Sequence, residues 1–358
     1  MTNKFKVVLV SLASLLIAVA VVALFFGHQL LKTPMSDDRT EVIFDVAPGT
    51  NIAQIAASLQ EQGLIRNGQL FLLYARILKL NSKLKVGEYS LNRAMNPDEI
   101  LSVIISGKSI ARNLTVAEGL NIFDISDIIE KSGYGKKEEI LALLHDKDFI
   151  KLLLGEEIES LEGYLYPETY KITKFDNPKM IITQMVKRFL SVWKEIEPAA
   201  KQTKWSRHQI VTFASIVEKE TGASSERPMV SSVFHNRLAL KMKLQTDPTV
   251  LYGMALKLGH MPKNISKNDL LTPTRYNSYT NFGLPPTPIS NPGKEALLAT
   301  LQPANSKYLF FVSKNNGTHV FSETYANHNK AVQAFQMNAK AREGKSWRDL
   351  NKPAPVTK

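Results

Sequence analysis

The chain contains no cysteine in its 358 residues. Disulfide bonds, thiolate nucleophiles and cysteine-based metal sites are therefore excluded, and the composition is compatible with an oxidising envelope compartment. The seven histidines are scattered without the close spacing of a zinc motif, so no metal site is predicted. The motifs Gly-x-Ser-x-Gly, Gly-x-x-x-x-Gly-Lys and Gly-x-Gly-x-x-Gly are also missing. Esterase, nucleotide hydrolase and dehydrogenase functions thus lack their usual motifs, and no cofactor is predicted.

Negative charge is scarcer than positive charge. The 45 Lys and Arg residues outnumber the 33 Asp and Glu residues, for a formal net charge of +12. Such an excess either serves solubility alone or attracts a polyanion. No helix-turn-helix, zinc-finger spacing or ribonucleoprotein aromatic motif is present, so nucleic acid is not the expected partner. An acidic cell-wall polymer or an anionic membrane surface fits better.

One long apolar run lies near the N-terminus. Residues 7–27 carry no charge and, as a helix, would be roughly 31 Å long, about the thickness of a hydrocarbon core. Lys4 and Lys6 precede the run and favour an N-terminus on the inside, with the body of the chain exported. A cleaved signal peptide is the alternative, but the run continues past its best cleavage site. The sequence therefore predicts a retained single-pass anchor.

A short motif occurs twice, at residues 46–52 (VAPGTNI) and 116–122 (VAEGLNI), offset by 70 residues. Each copy predicts a strand, a glycine turn and an amphipathic helix. Gly63 and Gly133 are predicted to end these helices as C-terminal caps. The first copy resembles the opening of a LysM domain, a small sugar-binding module, although a role in packing and spacing alone is the alternative.

Turn and cap signals mark further elements. Residues 86–91 predict a strand, and Asn96 followed by Pro97 predicts the start of a helix. Asn-Gly at positions 316 and 317, between two apolar runs, predicts a β-hairpin over residues 308–321. The long C-terminal part is therefore expected to be of the α+β class.

One apolar helical pattern carries two carboxylates. Ile210, Ala214 and Val217 recur at helical spacing, and Glu218 lies at the border of the face that they form. Glu220 lies about 200° around the axis from Glu218, so the two cannot act as a close acid pair. A carboxyl beside apolar side chains tends to keep its proton, as a general acid must near neutral pH. Taken alone, the pattern also fits a solvated helix glutamate.

Three segments, residues 160–170, 213–253 and 276–286, together resemble the membrane-anchored endolytic murein transglycosylases, the YceG-like family. The resemblance covers nearly the whole chain. It implies non-hydrolytic cleavage of the MurNAc-β-1,4-GlcNAc bond within peptidoglycan strands, which leaves 1,6-anhydroMurNAc ends and terminates nascent strands. It also implies that Glu218 is the catalytic residue, serving first as acid and then as base.

The resemblance further implies a substrate cleft, with Glu220 in a supporting role. Each expected contact has a structural alternative. The segment 245–247 would only provide a helix cap through Asp247, the loop 276–280 would only pack on its own tyrosines, and residues 236 and 237 would only form an exposed helix flank. The expected substrate-binding residues are Gln245, Thr246, Asp247, Tyr276, Asn277, Thr280, Asn236 and Arg237.

The fold class expected from these observations is α+β: an N-terminal transmembrane helix, a small LysM-like αβ module and a mixed α+β catalytic domain. The expected site of action is the inner membrane, single-pass, with the catalytic body in the periplasm. The expected partners are peptidoglycan glycan strands, inner-membrane lipid and peptidoglycan synthases. The predicted divisions are a cytoplasmic N-terminus (residues 1–6), a transmembrane helix (7–27), a linker (28–40), a LysM-like module (41–110), a catalytic domain (111–339) and a polar tail (340–358).

Two other functions stay open at this point. A hydrolytic muramidase would need a second carboxylate near the first, and Asp247 is the candidate. A non-catalytic peptidoglycan-binding scaffold for the synthesis machinery would not need Glu218 at all.

Overall fold

A computed structural model describes residues 12, 14, 17, 18, 26–80, 83–221 and 223–338. It divides into two compact units, and its mixed helices and small sheets agree with the predicted α+β class. The first unit comprises Met1–Asn113 and Lys171–Asp176, and the second comprises residues 114–170 and 177–358. The first segment of the first unit ends three residues after the predicted module boundary at residue 110. Nothing in the sequence indicated that Lys171–Asp176 also belongs to this unit.

The first unit is built on a two-stranded antiparallel sheet in which Phe44 pairs with Tyr89. Both side chains are buried together with Leu59, Phe71 and Ile100 from the surrounding helices. This apolar cluster is the core of the unit. Its elements in chain order are β1 (Val42–Val46), α1 (Ile52–Glu61), α2 (Gly68–Ile77), β2 (Gly87–Leu91) and α3 (Pro97–Ser106).

The second unit is mostly helical. Strands β3 and β4 form a two-stranded sheet, and the residues of each strand are divided between the two units. Its elements in chain order are β3 (Arg112–Thr115), α4 (Ile122–Lys131), α5 (Lys137–Leu144), α6 (Lys147–Leu154), β4 (Thr169–Ile172), α7 (Pro178–Ala200), α8 (Arg207–Glu220), α9 (Arg227–Ala239), α10 (Asp247–Leu258), α11 (Lys267–Leu271), α12 (Lys294–Leu301), β5 (Phe310–Ser313), β6 (His319–Ser322), α13 (Tyr325–Val332) and a final π-helical turn, Gln333–Met337.

The repeated motif folds into the same local structure twice. Asn51 and Asn121 both open their helices with a capping box. At the other end, Gly63 and Gly133 adopt positive φ angles of 68° and 86°. In each copy the amide of the residue after the glycine donates to a carbonyl five residues back, as a Schellman motif requires. The predicted glycine caps are therefore confirmed.

Gly133→Ala should lower the free energy of unfolding by about 1 kcal/mol, because a Cβ disfavours the left-handed conformation. No heavy atom lies within 4 Å of the Cβ that the substitution would add, so the cost is conformational rather than steric. Urea unfolding of the exported body measures it. An unchanged midpoint would mean that the helix end rearranges without cost.

Residues 160–170 contribute to the architecture of the second unit. Glu162 is fully buried, and its two carboxylate oxygens accept from the Ile122 amide and the Asn291 side-chain amide, each at 3.0 Å. Burial raises the pKa of Glu162 to about 8. This carboxyl binds one of the free amides at the start of α4, and it does not reach the pocket described below.

The predicted hairpin is confirmed, with β5 and β6 pairing antiparallel so that Val312 lies opposite Val320. Asn315 and Gly317 supply the positive φ angles of the turn, 61° and 86°. β5 begins at Phe310, two residues later than the sequence indicated.

The two ends of the chain are described only in part. Most of the predicted span at residues 7–27 and all of the predicted tail at residues 340–358 lie outside the described residues. Within the described residues, no helix is both long and apolar enough to span a membrane. The part predicted as a linker is helical up to residue 32, and the amide of Ala94 donates to the carbonyl of Asp38.

Candidate active site

Helix α8 positions both carboxylates singled out in the sequence. It begins with a capping box at Ser206 and ends at Glu220. The predicted apolar face is buried, and so is nearly everything between Ile210 and Glu218. The helix therefore crosses the core of the second unit, and its C-terminal turn delivers two glutamates to different surroundings.

Glu218 points into a closed polar cluster. One oxygen accepts from Nη2 of Arg227 at 2.7 Å and the other from the amide of Gly293 at 3.0 Å. Arg227 also donates to Glu118 at 3.1 Å. Burial raises the pKa of Glu218, and the Gly293 amide and the Arg227 charge oppose that rise. Both oxygens are thus occupied by donors, an arrangement that anchors α8 to α9 and to the start of α12.

Glu220 faces a different environment. Burial raises the pKa of Glu220 to about 7, although a hydrogen bond from the Thr246 hydroxyl opposes the rise. The negative charge of Asp247 raises this pKa further, and the positive charge of Arg237 lowers it. The raised pKa favours the protonated form of Glu220 closer to neutral pH than for an exposed glutamate, as a general acid requires.

Glu220 lines a pocket of about 400 Å³ in the second unit. This volume lies within the usual range for small-ligand sites, roughly 300–1,000 Å³. One part of its lining is polar and another part is aromatic. The lining residues are Glu220, Phe234, Arg237, Leu244, Gln245, Thr246, Asp247, Tyr279, Phe310, Phe311, Tyr325 and His328.

The segment that precedes α10 forms the polar part of the pocket. Gln245 takes a positive φ of 52° and its side chain is exposed. Thr246, not Asp247, is the N-cap residue of α10, so the predicted Asp247 cap is wrong. Asp247 is the first helical residue, and its Oδ1 accepts from the hydroxyl of Tyr279 at 2.6 Å. The Asp247 carboxylate is therefore held at the pocket by a tyrosine.

The loop residues chosen from the sequence lie elsewhere. Asn277 is fully buried, and its side-chain amide donates to three backbone carbonyls, two within α11 and one just after it. The hydroxyl of Tyr276 bonds to that of Thr287 at 2.8 Å, and Thr280 donates to the carbonyl of Asn277 at 3.1 Å. Tyr276 lines a separate pocket of about 360 Å³. These three side chains hold the loop together, and none of them lines the Glu220 pocket.

Asn236 and Arg237 tie α9 to the segment that leads into β5. The side-chain amide of Asn236 donates to the carbonyls of Ser306 and Tyr308, both at 2.9 Å. Arg237 donates to the carbonyls of Leu309 and Leu244, both at 2.7 Å. Asn236 is therefore structural, whereas Arg237 is structural and also lines the pocket.

None of the six aromatic residues of the pocket was named as a site residue from the sequence. Phe234 and Tyr279 stood within segments quoted for the resemblance, and Phe310 and Phe311 stood within the predicted hairpin. Tyr325 and His328, on α13, had no local signal. Only the packing of α13 against the hairpin brings them to the Glu220 pocket.

The chain is similar to one protein family, to named bacterial proteins and to a solved structure. The model of the YceG-like family matches residues 44–334. A Bacillus subtilis protein named endolytic murein transglycosylase is 34% identical over 328 residues, which cover 87% of this chain and 90% of that protein. A Streptococcus pneumoniae protein of the same name is 27% identical over 354 residues, and the match spans 63% of its length. The crystal structure of a YceG-like protein from Listeria monocytogenes superposes with a TM-score of 0.57 at 34% identity, covering 82% of this chain and 99% of the other.

Proposed function

The chain belongs to the YceG-like family, and because the Bacillus and Streptococcus relatives are named endolytic murein transglycosylases, we propose that it cuts the MurNAc-β-1,4-GlcNAc bond inside peptidoglycan strands. The general class, a lytic transglycosylase acting on peptidoglycan, follows from the family and these relatives. The position of the cut, its product and the residues that perform it belong to the proposal.

The observation that carries the mechanism is the position of Glu220 in an open pocket. Glu218, the acid expected from the sequence, has both oxygens bonded to donors and a side chain only 5% exposed. Such a carboxylate is shielded from a substrate, because each oxygen faces a protein donor and little of the side chain is exposed. Glu220 has a pKa of about 7 and lines a pocket that could admit a sugar. We therefore assign the acid to Glu220 and a positioning role to Glu218.

In the proposed reaction, protonated Glu220 gives its proton to the glycosidic oxygen as the bond from that oxygen to C1 of the muramyl unit breaks. The C6 hydroxyl of the same muramyl unit then bonds to C1, and its proton passes to the Glu220 carboxylate. No water is consumed, one 1,6-anhydro end is formed, and the acid is regenerated. The Asp247 carboxylate, fixed by Tyr279, would stabilise the positive charge that develops at C1.

Asp247 also supports a second candidate. Because it lines the same pocket as Glu220, it could activate a water molecule, and the enzyme would then be a hydrolytic muramidase. The mass of the released ends separates the two reactions, since anhydro ends are lighter by one water. Incubation of the exported body with purified peptidoglycan, followed by mass spectrometry, tests the proposal, and hydrated ends alone would favour the muramidase.

The cellular setting is also proposed and rests on the sequence. Residues 7–27 would anchor the protein in the inner membrane, with the catalytic body in the periplasm and nascent strands within reach. Cutting there would terminate strands as they are made, and peptidoglycan synthases would be natural partners. Glycan binding by the LysM-like module at residues 41–110 remains a proposal of the same kind.

The proposed acid predicts a pH dependence. Glu220 loses its proton as the pH rises through about 7, so kcat/KM should fall above that pH. Because the charge of Asp247 raises the Glu220 pKa, Asp247→Asn should move this limb to lower pH. A profile on purified glycan strands measures both effects. A rate that stays constant from pH 6 to pH 9 would contradict the assignment of Glu220.

A further inference from the structure

An aromatic wall bounds the Glu220 pocket on the side formed by the hairpin and α13. We use this name for Phe310, Tyr325 and His328, which all line the pocket. The rings of Phe310 and His328 are nearly parallel, with centroids 5.2 Å apart and planes at 23°. Tyr325 packs against Phe310 at 5.9 Å and 56°. The three rings thus form one continuous apolar surface.

Tyr325 is far more exposed than a tyrosine kept only for packing. The residue is 65% exposed, although it lies on a helix that begins with a side-chain cap from Thr324. Large aromatic side chains left open beside a pocket are typical of binding surfaces. The capped helix and the ring contacts fix the wall in place without covering Tyr325.

The groups that share the pocket with the wall have a different chemistry. Glu220, Thr246 and Asp247 present carboxyl and hydroxyl oxygens, and the guanidinium of Arg237 lies 5.3 Å from the centre of the Phe310 ring. A sugar ring has a face of C–H groups and a rim of hydroxyls. An aromatic surface beside polar groups matches both parts of such a ring.

His328 adds a second observation. Its Nδ1 is shielded from water and has no hydrogen-bond partner among the described residues. Burial lowers the pKa of His328, and the nearby Arg237 charge lowers it further. A buried polar nitrogen without a partner is costly in a folded protein. Because Nδ1 is shielded, a hydroxyl or amide of a bound sugar could reach it only if the neighbouring rings shift when the glycan binds.

From these contacts we infer that the aromatic wall is a sugar-binding subsite, in which the C–H face of one glycan residue stacks on Tyr325 and Phe310 while its polar rim faces Glu220 and Asp247. This inference rests on the proposed function, because it identifies the part of the pocket that holds the substrate. It assigns binding to α13, a segment for which the sequence offered no expectation.

Tyr325→Ala should weaken glycan binding about tenfold, since stacked aromatic contacts contribute on this scale. KM should rise while kcat changes little, because the ring contacts the substrate and not the reacting bond. Tyr325→Trp, which keeps a flat ring, should retain tight binding. A tyrosine that only stabilised the fold would instead change the melting temperature and leave KM unaffected.

The matched control is Phe282→Ala. Phe282 is 68% exposed, close to the value for Tyr325, but its ring is contacted by Lys243 Nζ, 5.2 Å from the ring centre, and it does not line the pocket. Binding is best measured in a Glu220→Gln background with uncross-linked glycan strands of defined length, so that no strand is cut. The control should bind these strands as well as Glu220→Gln alone.

The possible results distinguish failure of the proposed sugar-binding subsite from failure of the proposed cleavage reaction. Equal binding with and without Tyr325→Ala, or no binding by Glu220→Gln itself, would overturn the subsite. Binding that depends on Tyr325 but not on Phe282 would support it. If the unsubstituted enzyme then failed to cut the same strands, the proposed reaction would be wrong while the subsite stood.

Discussion

Glu220→Gln is expected to reduce the release of anhydro ends from purified glycan strands by about 10³-fold, within the usual range for a lost general acid. Glutamine keeps the size of the side chain and can still accept a hydrogen bond from Thr246, but it cannot donate a proton to a leaving oxygen. Quantitative mass spectrometry of the strand ends over time measures the effect. Because the pocket is otherwise intact, KM should change much less than kcat.

The same substitution should make the protein more stable above neutral pH. The pKa of Glu220 is raised from 4.5 to about 7, so the folded state binds this proton more tightly than the unfolded state does. The favourable contribution of the protonated form is complete below pH 4.5 and is lost as the pH rises through 7. Removing the ionisable group should therefore raise the melting temperature at pH 8 relative to the unsubstituted protein. Lost activity with lower stability would indicate misfolding instead.

Glu218→Gln is the control for the Glu220 assignment. The two glutamates lie on one helix only two positions apart, so the comparison holds the local sequence nearly constant. We expect the Glu218 variant to keep substantial activity, because the substitution alters the contact with Arg227 and leaves the Glu220 pocket intact. If folded Glu218→Gln were inactive and Glu220→Gln were active, the acid would be Glu218, as the sequence alone suggested.

Arg227→Met is expected to have the largest effect on stability. The Arg227 side chain is 8% exposed and bonds to Glu218 at 2.7 Å and Glu118 at 3.1 Å. Removal of one partner from a buried ion pair leaves an uncompensated charge and costs about 3–5 kcal/mol. Methionine fills much of the same volume, so most of the loss would be electrostatic. Denaturant unfolding at pH 8 measures it.

A companion variant separates charge from packing at this cluster. Arg227→Met combined with Glu218→Gln removes both charges, and it should recover much of the stability that the single variant loses. The loss in Arg227→Met should also be smaller at pH 5 than at pH 8, because burial raises the pKa of Glu218 and favours its neutral form at low pH. Equal losses at both pH values would show that packing dominates.

Much of the local structure could be predicted from the sequence. Helix caps and tight turns depend on a few adjacent residues, so the Gly63 and Gly133 caps, the capped start of α3 at Asn96 and the Asn316-Gly317 turn agree with the sequence. The repeat offset by 70 residues likewise has the same caps in both copies. The Asp247 cap was wrong by one position, since the Asp247 carboxylate bonds to Tyr279, a partner 32 residues away.

The sequence by itself determined the family, the α+β class and the helix that carries both glutamates. Only the tertiary structure distinguishes the surroundings of the two glutamates, and the proposed assignment of the acid to Glu220 rests on that difference. Both lie beside apolar residues on α8, but Arg227 and the amide of Gly293 occupy the oxygens of Glu218, while Glu220 opens into the pocket. Tyr325 likewise reaches that pocket only when α13 packs on the hairpin. A pKa depends on burial and on charges brought close from distant parts of the chain, and the local sequence contains neither.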